Sequence, residues 1–186
     1  PASQLKEFEK TFKRYFEAIA SFSKLNTNSY TKILDGDALN FKIKQNIDLA
    51  ITSPPYINAF DYVRTLRLEN LWLDTFSEEQ LRYRKKEYVG TEQIKMIEEE
   101  KDLSILNDSD LLSEYYKKIY EVDKKRALIV KRFFEDMKKN LAQVYNNLST
   151  DGHYMIVIGN SKIRNVEIES WKVLEELGNL IGFETD

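Results

Sequence analysis

The sequence predicts an α/β fold in which a few short strands alternate with helices and one stretch of helix is inserted between strands. Three observations support that class. Short β-favouring runs at Tyr30 to Leu34, Ile47 to Thr52 and Tyr154 to Ile158 are separated by segments of helical periodicity. The middle run ends abruptly in Ser53-Pro54-Pro55-Tyr56, and two successive prolines cannot continue a strand ladder. The helical share exceeds what a small sheet needs to cover its faces, and the excess falls within residues 77–130.

Each element follows from its local pattern. Residues 3–24 place Leu5, Phe8, Phe12, Tyr15, Phe16 and Ile19 at helical spacing, which predicts an amphipathic helix. Asn26-Thr27-Asn28-Ser29 then reads as a loop before the strand Tyr30 to Leu34. The apolar run Ile47 to Thr52 reads as a buried strand, and Tyr62 to Phe76 as a helix. Residues 77–108 are highly charged and predict two short helices with a break near Tyr88-Val89-Gly90. Ser109 or Asp110 caps a helix running toward Leu148, on the order of 40 residues and long enough to expect a kink or break. Ser149-Thr150-Asp151-Gly152 turns the chain into the strand Tyr154 to Ile158. Glu167 to Leu180 is the last helix, closed by Gly182.

At 186 residues the chain is about one domain, large enough for one core. With 42% apolar and 32% charged residues it reads as globular rather than disordered. A net charge of −3 gives no bulk attraction to nucleic acid, so such binding would rest on local basic patches. The chain lacks cysteine, which excludes disulfides and thiolate metal sites. No metal-ligand spacing, membrane span or signal peptide is visible, and a cytoplasmic location is the default expectation.

The chemistry concentrates at Ser53-Pro54-Pro55-Tyr56. The prolines fix their own φ and push each preceding residue out of the helical region. The chain is therefore held extended past the strand, with carbonyls left to accept. Ser53 adds a hydroxyl and Tyr56 a ring, at the strand end where open α/β sheets place their ligands. An exocyclic amino group on a flat ring suits such a site. Its N–H donors would go to the Pro54 carbonyl and the Ser53 side chain while the ring stacks on Tyr56. A strand-to-turn transition with a capping serine is the structural alternative.

The tetrapeptide resembles the catalytic motif of S-adenosylmethionine-dependent amino-methyltransferases that act on DNA bases. The serine form is more similar to the N4-cytosine group than to the N6-adenine group. The resemblance extends to Ile33-Leu34-Asp35-Gly36-Asp37-Ala38 upstream, and to Asn58-Ala59-Phe60-Asp61-Tyr62-Val63-Arg64 and Leu68-Glu69-Asn70-Leu71-Trp72-Leu73 downstream. Gly152 to Ser161, with its Ile158-Gly159-Asn160-Ser161 end, is the last matching segment. The match is scattered over residues 31–170.

The resemblance implies a partial Rossmann-like methyltransferase sheet with residues 77–130 as a helical insertion. It implies S-adenosylmethionine as cofactor and DNA as partner, in a bacterial modification system. Ser53, Pro54, Pro55 and Tyr56 would be catalytic. Asp37, with Ala38 in the same loop, would lie near the cofactor adenine, or Asp37 is simply a turn aspartate. Asn58 and Asp61 would line the target pocket or cap the next helix, and Asn160 and Ser161 would line it or serve loop hydrogen bonding. Arg64, Arg67, Arg82 and Arg84 would contact phosphate, or belong to solvated helix faces. Alternative substrates are N6 of adenine or an RNA base, and a DNA-binding or interaction module without catalysis is the alternative from another class.

One part of the family pattern is missing. Such enzymes hold the methionine end of the cofactor with a Gly-rich loop, and none of the 6 glycines here forms Gly-x-Gly. The chain begins at Pro1, without Met, and ends where a further strand is expected. It therefore reads as a piece of a longer protein with the cofactor loop upstream, binding the cofactor poorly by itself. In the family, the loop-bearing strand lies between those represented by Tyr30 to Leu34 and Ile47 to Thr52. One edge of the catalytic strand is then expected to be open, covered by the N-terminal helix, or paired in self-association with another copy.

Overall fold

The computed structural model describes residues 2–25, 30–34, 36–44, 46–57 and 62–185. They fall into two units, residues 1–35 and residues 36–186. The first unit holds helix α1 (Ala2–Ser23). The i, i+4 spacing of its aromatics stacks Phe8 on Phe12 and Phe12 on Phe16, with ring centroids 6.3 and 6.4 Å apart. That apolar stripe is exposed. Residues 30–34 are exposed and form no strand, which corrects the expectation for Tyr30 to Leu34. A five-residue β-favouring run becomes a strand only where a neighbouring backbone takes its hydrogen bonds.

The second unit begins with β1 (Ile47–Thr52) and continues through short helices α2 (Tyr62–Thr65), α3 (Arg67–Trp72), α4 (Glu78–Arg84) and α5 (Met96–Glu99). A 3₁₀ turn at Ser104–Asn107 leads to α6 (Asp110–Tyr120) and α7 (Lys124–Tyr145). Then come β2 (Leu148–Ile156), β3 (Ser161–Ile163), β4 (Val166–Ile168) and α8 (Ser170–Ile181). The unit is mixed α/β. β1 and β2 form a two-stranded parallel sheet, with Ala50 opposite Tyr154 and Thr52 opposite Ile156. Among the described residues no strand pairs with the other edge of β1.

The core sits where α6, α7 and α8 meet, around Leu112, Ile119, Phe133, Phe134 and Leu177, all fully buried. Tyr154, Ile156 and Ile158 pack one sheet face against it. The opposite face carries Leu49 and Ile51, 53% and 64% exposed, so β1 is not the buried strand its composition predicts. Period 2 along a strand covered on one face only leaves alternate apolar side chains in solvent.

Several boundaries move for identifiable reasons. The long helix breaks at 121–123, because Asp123 caps a new helix by accepting from the Arg126 backbone N–H at 3.0 Å. Ser109 caps α6 as expected. The helix expected over 62–76 is divided between α2 and α3, at Leu66. β2 starts at Leu148, through the expected turn, because a bulge shifts its register against β1. There a Cβ on Gly152 would meet the carbonyls of Ser149 and Ile47 at 3.0 and 3.1 Å. The start expected for the last helix is instead β4, paired antiparallel with β3 across Arg164 and Asn165, both at positive φ. Gly182 closes α8 at φ 119°.

Candidate functional site

The parallel pairing of β1 and β2 extends one step beyond β2, where the Val157 backbone N–H donates to the Thr52 carbonyl at 2.9 Å. The two segments leaving the strands, Ser53 to Tyr56 and Ile158 to Asn160, therefore run out side by side. Beyond Thr52 the prolines hold the chain extended. Pro54 is buried and Pro55 half-buried. Ile57, 1% exposed, pins the far end of the segment into the core. Between these anchors Ser53 is exposed and Tyr56 keeps 42% of its surface in solvent. Neither the Ser53 hydroxyl nor the Pro54 carbonyl has a hydrogen-bond partner among the described residues. The Ser53 hydroxyl is exposed and can accept from a ligand.

The Tyr56 ring lies against Gly159, where a Cβ would stand 3.4 Å from Cε1. On the other side, the backbone of Tyr56 abuts Gly90. A Cβ there would lie 3.6 Å from the Tyr56 carbonyl and from Phe133 Cδ2, and 3.9 Å from Pro55 Cβ. The tetrapeptide is thus held between the end of β2 and the loop that joins α4 to α5.

Asp37 and Ala38 form a small turn. The Leu39 backbone N–H donates to Asp37 Oδ1 at 2.9 Å, and that of Asn40 to the Asp37 carbonyl at 3.0 Å. Asn140 Nδ2, from α7, donates to the Ala38 carbonyl at 2.7 Å, while the Tyr154 hydroxyl donates to Asn140 Oδ1 at 2.5 Å. The turn is therefore tied to α7 and, through Tyr154, to β2.

The described residues do not make a site for S-adenosylmethionine. Asp37 is exposed and has one oxygen not engaged by Leu39, but the strand ends present no paired-glycine loop whose amides could cradle the methionine end.

The remaining predicted residues are dispersed. Asn58 and Asp61 lie outside the described residues. Asn160 is exposed beside Gly159, whereas Ser161 is buried in β3 opposite Ile168. Arg64 lies in α2. Arg67 is committed to Glu78 by a two-pronged ion pair, Nη2 to Oε1 at 2.7 Å and Nε to Oε2 at 3.1 Å. Arg84 lies over the Phe76 ring at 4.3 Å, and Arg82 is exposed on α4. A shallow depression on the same helix, lined by Glu79, Gln80, Tyr83, Arg84 and Glu87, includes no residue of the tetrapeptide.

Sequence reasoning missed Gly90, Thr91, Phe133, Asn140 and Tyr154 as site residues. Asn140 carried a usable signal, as an amide in the middle of a helix with apolar periodicity. Among the described residues, no helix is long and apolar enough to cross a membrane. Compared with known proteins, the chain matches no family model and is not significantly similar to any curated protein or solved structure.

Proposed function

We propose that this chain is the target-base half of a DNA amino-methyltransferase, acting most readily on N4 of cytosine in a cytoplasmic bacterial modification system. The observation that carries the reading is the pair of acceptors without a partner among the described residues, Ser53 hydroxyl and Pro54 carbonyl, held by the prolines beside the half-exposed Tyr56 ring at the carboxyl ends of two parallel strands. A base reaching Tyr56 would have to leave the duplex, and stacking on the ring would offset part of that cost. The two acceptors then take the amino N–H groups and aim the nitrogen lone pair. No strong general base is required, because the amine sheds its proton after the nitrogen has attacked, and positioning carries the catalysis. S-adenosylmethionine is the methyl donor in this reading. What these residues themselves do is bind and orient the amine.

The two-stranded sheet is read as part of a Rossmann-like sheet, with residues 77–130 as a helical insertion between its two strands. The edge of β1 that no strand among the described residues pairs with, and its exposed Leu49 and Ile51, offer a surface for self-association.

The test is methyl transfer by the full-length protein from labelled S-adenosylmethionine to unmethylated DNA, with the product nucleoside identified by mass. N4-methylcytosine is the expected product. N6-methyladenine, or label entering only RNA, would move the reading to the alternative substrate. DNA retention without transfer would favour a binding module. Normal turnover by both Tyr56→Ala and Pro54→Ala would remove the catalytic assignment.

A further inference from the structure

The loop between α4 and α5 is closed around one buried hydroxyl. Thr91 is 4% exposed, and its Oγ1 donates to the Lys85 carbonyl at 2.6 Å and accepts from the Gln93 backbone N–H at 3.1 Å. Its own backbone N–H donates to the Tyr88 carbonyl at 3.2 Å. Lys85 is the C-cap of α4, so these bonds fold the chain back directly after that helix. Glu92, the next residue, pairs with Arg126 of α7. The tip of the loop is Gly90, buried and at φ 81°, a conformation that side-chain-bearing residues rarely adopt. That tip lies beside the fully buried Phe133 and faces the Pro55–Tyr56 segment: a Cβ on it would stand 3.6 Å from the Tyr56 carbonyl and 3.9 Å from Pro55 Cβ.

Proline fixes the φ of residue 55, so the direction of the Tyr56 ring depends on few remaining torsions. A rigid surface behind the Pro55–Tyr56 peptide restricts those torsions. An unclosed loop would leave them loose. We propose that Thr91 is a positioning residue for the base pocket: its hydroxyl closes the Lys85–Gln93 loop so that Gly90 backs the Pro55–Tyr56 segment and limits the backbone positions from which the Tyr56 ring projects. The role in turnover rests on the base-binding reading above. The bracing does not.

The test combines two measurements on the full-length protein labelled with 3-fluorotyrosine. The Tyr56 fluorine resonance, assigned by its loss in Tyr56→Phe, reports ring position without substrate. Methyl transfer to unmethylated DNA reports kcat and KM. Thr91→Val should shift or broaden the Tyr56 resonance and lower kcat on the order of tenfold, with the KM for DNA unchanged within about twofold. Thr91→Ser, which keeps the hydroxyl, should restore both.

A Thr91→Val protein with the parent's resonance and kcat would overturn the proposal. If Thr91→Val does not fold, Gly90→Ala decides by the same two readings, since its Cβ has room but its φ is strained. A shifted resonance with lowered kcat supports bracing, and parent values reject it. Normal turnover by Tyr56→Ala would sink the base-binding reading alone, leaving the fluorine shift to judge the brace.

Discussion

The Tyr56 ring edge packs on Gly159, and a Cβ at 159 would stand 3.4 Å from its Cε1. Alanine there would just touch the ring, and the branched side chain of valine would displace it. Because Tyr56 is half-exposed, its ring can swing outward at little cost to the fold. Gly159→Val should therefore leave the melting temperature within a few degrees of the parent and lower methyl transfer by on the order of tenfold, the loss following ring position. Parent-like turnover by Gly159→Val would show that the ring need not rest on residue 159.

The Tyr154–Asn140–Ala38 chain predicts a local effect. Burial pushes the Tyr154 hydroxyl up to about 12, so it remains a proton donor at neutral pH and fixes which end of the Asn140 amide faces Ala38. Asn140→Leu removes both bonds. Losing about 1 kcal/mol of hydrogen bonding corresponds to about fivefold easier local opening. Hydrogen exchange at the Leu39 and Asn40 amides should accelerate by about that factor while α7 keeps its protection. Unchanged exchange at those two amides would mean that the turn holds itself together.

Asp123 joins two elements with one carboxylate. Oδ1 accepts from the Arg126 backbone N–H, and Oδ2 accepts from Arg164 of the β3–β4 hairpin at 2.8 Å. The Arg126 N–H and then the Arg164 guanidinium hold its pKa below the ordinary carboxylate value of 3.8. A depressed folded pKa stabilises the fold above the unfolded value and is lost as pH falls through the folded one. Asp123→Ala should cost about 1–2 kcal/mol in a urea titration at pH 7, from the lost cap. Its deficit should narrow as the pH is lowered past 3.8. A deficit constant with pH would mean that the ionised carboxylate is not what stabilises the cap.

The parts legible in the sequence were those fixed by local chemistry. Ser109 caps α6, Gly182 closes α8 and the prolines end β1, because each acts on its own backbone. Asp123 was a cap hidden inside a continuous helical pattern, visible only as one acid among many charges. What failed depended on distant neighbours. Tyr30 to Leu34 has strand-like composition, but no strand among the described residues pairs with it. Leu49 and Ile51 are apolar, yet only the structure shows which face of the sheet is covered. In the candidate site, the tetrapeptide was readable because proline chemistry is local. Its bracing by Gly90 and Thr91 was not, because the contact spans a loop of more than thirty residues.

Lys131 gives the strongest stability prediction, because it is an ammonium group 1% exposed within α7. Its Nζ lies 3.1 Å from Glu99 Oε2 and 2.9 Å from Glu135 Oε1, and it donates to the carbonyls of Glu99 and Asp102 at 3.1 and 2.8 Å. Arg132 adds a bond to Glu99 at 2.8 Å. Removing the ammonium leaves Glu99 and Glu135 without their shared cation in a poorly solvated place. Lys131→Met, which keeps the packing volume, should therefore destabilise by about 3–5 kcal/mol at neutral pH. Burial already raises the Glu135 pKa above 4.5, even with Lys131 beside it, and losing the ammonium raises it further. A carboxyl with a raised folded pKa favours the fold below that value and loses the advantage as pH rises through it. The deficit of Lys131→Met should thus be largest near pH 8 and shrink toward pH 5, a higher window than that in which the Asp123→Ala deficit narrows. Melting curves across that range give the comparison. A deficit that grew on acidification would show that the two glutamates are not what Lys131 neutralises.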